Sequence, residues 1–244
     1  NYSLKKIKDV IETPALSNKT IKFLDWFSKY NLIPIGMSLK LHLLSGEVPI
    51  SYSDKEYKKF KIKEKKNIFK FSSEQELAFK NLNNEKNKFR VHLLQGATGS
   101  GKTLVYFKSI IDTISKGFQA LILLPEIGLT FEFEKKFEEF FGFKPAIWHS
   151  SITKKNKKII WSGLASGKIK VVIGARSALF LPFKKIGEII VDEEHDQSFK
   201  QDEGVIYNAR DMAIARAKFE NIPINLVSAV PSIETYENII NKKY

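Results

Sequence analysis

The chain has 244 residues, 43% of them apolar, and 40 Lys+Arg against 27 Asp+Glu, a net charge of +13. That apolar share excludes intrinsic disorder as the main state, since such a chain can bury a core. The longest apolar run, residues 120–125, falls far short of the roughly 18 residues that a membrane-spanning helix needs. No signal-peptide pattern opens the chain. With no cysteine, disulfides and thiolate metal sites are excluded within these residues, which fits a reducing compartment. The chain opens on Asn1 and its first Met is Met37, so a piece of a longer protein is expected.

Three parts follow one another. Residues 1–48 read as helical, with Ile21, Leu24, Trp26 and Phe27 in the stretch Lys19 to Tyr30 and a Pro34-Ile35-Gly36 turn after it. Residues 49–71 show no apolar period and read as a basic linker. There Lys55, Lys58, Lys59, Lys61, Lys63, Lys65 and Lys66 are broken only by Glu56 and Glu64. Residues 1–72 carry 15 Lys+Arg against 7 Asp+Glu, a net +8. Such a segment suits a polyanion such as nucleic acid, or it is a solvated linker.

From Ser72 the pattern changes. Apolar strands are predicted at Val91–Leu94, Ala120–Leu124, Ala146–Trp148, Val171–Ile173, Ile189–Val191 and Ile224–Val227. They alternate with helices at Lys102–Ser115, Leu129–Phe140, Lys155–Ala165, Ala209–Glu220 and Ser232–Asn241. This alternation implies an α/β lobe over 72–244, a parallel sheet with helices on both faces, preceded by the small helical segment.

Gly96-Ala97-Thr98-Gly99-Ser100-Gly101-Lys102-Thr103 fits G-x-x-x-x-G-K-[ST], the P-loop. Glycines at 96, 99 and 101 let backbone N–H groups at Thr98 and Ser100 curl around a phosphate at a helix N-terminus. Lys102 neutralises phosphates and the Thr103 hydroxyl suits Mg²⁺. The alternative, a chance strand-to-helix turn, is weakened by the apolar strand before it and the helix after it. Ile189-Ile190-Val191-Asp192-Glu193-Glu194-His195 places carboxylates at the carboxyl end of a buried strand, the edge where ligands bind in open α/β sheets. Beside a P-loop, Asp192 is expected to hold Mg²⁺ and Glu193 to orient or deprotonate a water. Without the P-loop, a solvated acidic turn would be the better account.

Together these motifs resemble superfamily 2 helicases, and more closely the PriA family of replication-restart helicases. Leu123-Leu124-Pro125-Glu126-Ile127-Gly128-Leu129-Thr130, the stretch from Val172 to Phe180, the run from Asp192 to Asp211 and Ser228 to Thr235 are similar to that family's successive motifs. The resemblance implies a RecA-like ATP-binding lobe over 72–244 and the end of a 3′-DNA-binding domain over 1–48. It also implies ATP with Mg²⁺ as cofactors, forked DNA as substrate, primosome and single-strand-binding proteins as partners, and a cytoplasmic, nucleoid-associated enzyme. Gln75 falls where the family contacts adenine, or is a surface helix residue. Arg176 and Ser177 match a DNA-backbone motif, or Arg176 satisfies loop carbonyls. His195, Phe199, Lys200, Tyr207 and Ser228 match segments that couple single-stranded DNA to ATP hydrolysis. An aromatic ring there stacks on any base, or Phe199 and Tyr207 are packed core. Trp148, His149 and Ser150 read as structural.

Two departures stand out: Val230 replaces the family's Thr, and the 49–71 stretch is too short for a winged-helix domain. A second motor lobe with its arginine finger, and zinc sites built from cysteines, are expected beyond Tyr244, leaving this piece near-inactive alone. The rival readings are another superfamily 2 translocase and a P-loop switch that moves no DNA.

Overall fold

The computed structural model describes residues 16–43, 52–62, 70–84 and 88–243. Ser17 opens helix α1 (Asn18–Tyr30) by accepting the Thr20 N–H on its side chain, and α2 (Ile35–His42) follows the Pro34 turn. A short helix α3 (Asp54–Tyr57) runs into a 3₁₀ turn at Lys58–Phe60. Ser72 and Gln75 then form a capping box that starts α4 (Ser73–Asn83).

The remaining elements alternate as the sequence predicts. They are β1 (Arg90–Gln95), α5 (Lys102–Ser115), β2 (Gln119–Leu123), α6 (Phe131–Phe141), β3 (Ala146–Trp148), α7 (Lys154–Ser166), β4 (Val171–Gly174), β5 (Ile186–Asp192), the two-residue strands β6 (Lys200–Gln201) and β7 (Tyr207–Asn208), α8 (Ala209–Glu220), β8 (Pro223–Ser228) and α9 (Ile233–Ile240). Six strands form one parallel sheet in the order β1-β8-β5-β2-β4-β3. Every motif loop therefore leaves from the same carboxyl edge.

Alternate residues of the central strands face two cores. Ala120, Ile122, Ile173 and Ile190 meet α4, α5 and α6, where the Phe137 and Phe141 rings stack 4.0 Å apart. Leu121, Leu123, Val172 and Ile189 meet α1, α7 and α8 on the other face. Two predicted boundaries fail here. Helix α1 is no separate unit: Phe27 stands 4.9 Å from Phe180 and Phe23 6.2 Å from Phe219, so the helix belongs to the lobe's core. Nor are all residues of the predicted linker solvated. Tyr57 and Phe60 are buried in that same core, and a Cβ at Gly163 of α7 would lie 2.7 Å from the Tyr57 ring. Lys63, Lys65 and Lys66, with residues 1–15 and 44–51, lie outside the described residues.

One buried cation pins the loop after β4. Arg216 of α8 donates to the carbonyls of Leu179 and Leu181, pinning the 3₁₀ turn Arg176–Phe180 that follows β4; burial lowers its pKa to about 10.

Candidate active site

The P-loop turn works because two of its residues take a left-handed backbone, Gly99 at φ 81° and Gly101 at φ 83°. Gly101 also admits a close neighbour, since a Cβ there would stand 2.4 Å from the Gln75 amide nitrogen. Gln75 thus does two jobs. Its side-chain oxygen accepts the Ser72 N–H at 3.1 Å, and its amide donates to the Ser100 carbonyl at 2.9 Å. The resemblance sets Gln75 where the family contacts adenine, with a surface helix residue as the alternative; in this structure its amide bonds the P-loop.

Lys102 curls back and donates to the carbonyls of Gly96 at 2.7 Å and Ala97 at 3.1 Å. Its ammonium is held inside the ring of the loop. The N-cap of α5 is Gly101, which offers no side-chain acceptor. This left-handed cradle, open around Gly99, with a cation at a helix N-terminus fits a nucleotide phosphate group. Thr103 in the first turn of α5 and Asp192, bonded to Tyr106 one turn further along that helix, offer oxygens, the hard ligand type that Mg²⁺ prefers.

Strand β5 delivers Asp192 almost buried, 8% exposed. The Tyr106 hydroxyl of α5 donates to one carboxylate oxygen at 2.7 Å and the Glu193 N–H to the other at 3.1 Å. Burial raises its pKa, the Glu193 charge adds to the rise, and the Tyr106 bond and the Lys102 charge oppose it. The Tyr106 phenol is itself pushed well up by burial and by Asp192.

After Asp192 the chain turns sharply. Glu193 has φ 51°, a left-handed conformation that strains a residue with a Cβ by about 1–2 kcal/mol. That turn sends consecutive glutamates in opposite directions. Glu193 is half exposed on the nucleotide edge, 3.7 Å from Nδ1 of His195, which bonds the Ser228 Oγ at 2.8 Å. The Ser228 carbonyl in turn accepts the Gly96 N–H at 3.3 Å, closing a path back to the P-loop. Glu194 points inward, 1% exposed. It accepts the Ser232 N–H at 2.7 Å, the Thr235 hydroxyl at 2.9 Å and Arg210 at 3.2 Å.

The structure therefore brings together Gln75, the Gly96–Thr103 loop, Asp192, Glu193, His195 and Ser228. The remaining predicted residues lie elsewhere on the edge. Arg176 donates to the Lys200 carbonyl at 2.7 Å, so it does satisfy a loop carbonyl in this structure. Ser177 is exposed and accepts from Trp148 at 3.1 Å, and Lys200 pairs with Asp202 at 3.2 Å. Phe199 and Tyr207 correct the base-stacking expectation. Phe199 is 1% exposed in the core, and Tyr207 packs edge-on between Phe27 and Phe180, its hydroxyl without a hydrogen-bond partner. Neither ring presents a face to a base, and burial pushes the Tyr207 phenol up. Val230 is 71% exposed on the loop after β8.

Sequence reasoning assigned no role to Glu194, Arg210 or Tyr106. Two signals were present: Arg210 lies in the first turn of a buried helix, and Tyr106 sits one turn after Lys102 on the face that meets β5.

Residues 72–239 match the DEAD/DEAH box helicase family. Along its whole length the chain is 46% identical to the replication restart protein PriA of Rickettsia conorii and 48% identical to that of Rickettsia prowazekii, and it spans 37% of each. Over 76% of the chain it is 38% identical to PriA of Bacillus subtilis, spanning 22% of that protein. Among solved structures, RecG bound to a three-way DNA junction superposes with a TM-score of 0.51 at 24% identity, over 90% of this chain and 28% of RecG. The UvsW helicase from bacteriophage T4 gives 0.50 at 17% identity, over 78% and 62%. These two show the fold alone. With the family's match over more than half the chain, a P-loop and an Asp-Glu pair at one sheet edge, the chain belongs to the DEAD/DEAH box helicases.

Proposed function

We propose that this chain carries the nucleotide-binding motor lobe of an ATP-dependent DNA helicase that moves 3′→5′ and restarts replication at stalled forks. The observation that carries the reading is the path from Glu193 through His195 and Ser228 to Gly96, which joins the water-handling carboxylate to the phosphate loop. ATP with Mg²⁺ supplies a transferable phosphoryl group and a divalent clamp. Lys102 exchanges its two loop carbonyls for phosphate oxygens. Thr103 and Asp192 would hold the cation, and Tyr106 keeps the Asp192 carboxylate oriented. Glu193, on a backbone strained into position, orients a water and takes its proton. His195 and Ser228 register where Glu193 stands and pass that position to the loop after β8.

Arg176, Ser177 and Lys200 contact the DNA backbone once the Arg176–Lys200 bond opens. Primosome and single-strand-binding proteins are the partners. An arginine from a second motor lobe completes the reaction, since in P-loop enzymes such a group is worth about 10³–10⁵ in rate. This chain alone therefore turns over ATP barely.

Substituting Lys102→Ala in the intact protein tests the reading. ATP hydrolysis and unwinding should vanish while forked-DNA binding persists. A variant that still hydrolyses ATP near the wild-type rate overturns it.

A further inference from the structure

We propose that the amino edge of the sheet, opposite the nucleotide, is a second nucleic-acid surface that holds the phosphate backbone of duplex DNA. The occupant rests on the DNA-helicase reading above; the surface rests on how charge is distributed between the two edges. The described loops that lead into β2, β3, β4, β5 and β8 contain Lys116, Lys144, Lys168, Lys170, Lys184 and Lys185, and no acidic residue. The turn that leaves β5 at the carboxyl edge is instead acidic, with Glu193, Glu194 and Asp196, although Lys102 and Arg176 lie on neighbouring loops of that edge.

Because β5, β2, β4 and β3 are neighbours in one parallel sheet, these lysines stand in a row. The backbones confirm the spacing at two steps: the Gln119 N–H donates to the Lys185 carbonyl and the Ala120 N–H to the Lys170 carbonyl. Three strand steps of about 4.8 Å make a row about 14 Å long. That length matches roughly four nucleotides of one duplex strand at about 3.4 Å of rise each.

Part of the row has an internal explanation. Lys116 caps the C-terminus of α5, and Lys168 follows the Gly167 cap of α7, so both offset helix dipoles. Lys168 also pairs with Asp54 and Lys144 with Glu138. Lys170 donates to the Gly117 carbonyl at 3.1 Å, just past the end of α5, and the Lys184 backbone N–H bonds the Leu164 carbonyl of α7; only Lys185 stands clear of a helix end. Among the described residues, none of these three lysines, nor Lys116, has a carboxylate within ion-pair reach. Partial burial, then the charges of Lys184 and Lys185, lower the Lys170 pKa.

The surroundings favour duplex over single strand. Beside the row lies a cleft of about 400 Å³ lined by Lys19, Lys116, Lys184, Lys185 and one acidic residue, Glu220, and its two aromatic residues are largely covered. Phe183 is 7% exposed, and the Lys185 ammonium lies 4.5 Å over the Phe118 ring. Unpaired bases find nothing to stack on, whereas lysines suit a backbone as point charges without base readout.

The test replaces Lys170→Gln, Lys184→Gln and Lys185→Gln together in the intact protein, with the exposed pair Lys184→Gln and Lys185→Gln as a second variant. Binding to a blunt synthetic duplex and to oligothymidine is followed by anisotropy across salt concentrations, alongside the melting temperature and single-strand-stimulated ATPase. Each lost phosphate contact reduces the log–log salt slope by about 0.9, so the triple variant should lose about 2–3 of slope on duplex and the double variant about 2. Oligothymidine binding and stimulated ATPase should hold. An unchanged duplex slope overturns the proposal while unwinding shows the helicase reading intact; so does an equal loss on oligothymidine. A wild-type protein that binds no DNA of either kind defeats both.

Discussion

Strand β5 and the turn after it bury two glutamates six residues apart, and their surroundings differ in kind. In the middle of the sheet, Glu188 accepts from the Ser109 and Thr113 hydroxyls at 2.5 and 2.7 Å and from the Asn225 amide at 2.7 Å. All three donors are neutral, and they come from α5 and β8, elements already packed on β5. At the carboxyl edge, Glu194 takes a backbone N–H, two hydroxyls and a guanidinium from the starts of α8 and α9. No sheet pairing joins those segments. The first glutamate reinforces contacts that exist without it; α8 also packs on β5, but the second glutamate ties the start of α9 to it. A buried carboxylate is therefore a structural pin or a mechanical link according to what its donors belong to, not according to how many it has.

The largest expected effect tests the pin. Glu188→Leu strands three buried donors, and breaking a buried charged network of this size costs about 3–5 kcal/mol. Urea denaturation should show that loss, with ATPase per folded molecule of the intact protein unchanged. A loss below about 1 kcal/mol would mean that water or rearrangement satisfies those donors.

Next in size is a buried group that has neither kind of surrounding. His42 is 2% exposed, and neither ring nitrogen has a hydrogen-bond partner, the Phe180 carbonyl lying beside it outside bonding geometry. Burial, then the Arg216 charge, lowers its pKa to about 4. The unfolded chain takes up this proton near pH 6.5 and the folded chain only near pH 4, so the unfolded state binds more protons in between. Stability contributed by neutral His42 is therefore complete above pH 6.5 and is lost as pH falls to 4, by about 3 kcal/mol at most. His42→Leu should flatten that part of the profile; an equally steep profile in the variant assigns the acid loss to other groups.

The smallest stability effect tests the link. Glu194→Gln keeps one acceptor but turns an amide toward Arg210, for about 1–2 kcal/mol. DNA-stimulated ATPase should fall well below its wild-type ratio to basal ATPase. If basal and stimulated rates fall in step with stability, Glu194 is a second pin and the contrast with Glu188 dissolves.

The fold was largely legible because its strands are continuous apolar runs between clear breaks. β3 at Ala146–Trp148, α5 at Lys102–Ser115 and α8 at Ala209–Glu220 fall where the sequence puts them. What the sequence hid depends on partners far along the chain. Tyr57 and Phe60 are two apolar residues in a lysine-rich stretch, too few to show a period, and only α7 with its Gly163 explains their burial. Phe199 precedes and Tyr207 opens two-residue strands that carry no alternation, so their side could not be read. In the site, the P-loop and Asp192 follow from local patterns, but Glu193 and Glu194 look alike on paper. Their separation is made by one left-handed residue, and nothing in a Glu-Glu pair announces it.

The placement of α1 inside the lobe has a consequence for the order of synthesis. Phe23 and Phe27 leave the ribosome long before Phe180 and Phe219, which lie 150 and 189 residues after Tyr30. At about 5–20 residues per second, that aromatic helix face waits roughly 10–40 s for the surface that covers it. Throughout that interval the nascent chain displays a ready binding site for a holdase chaperone.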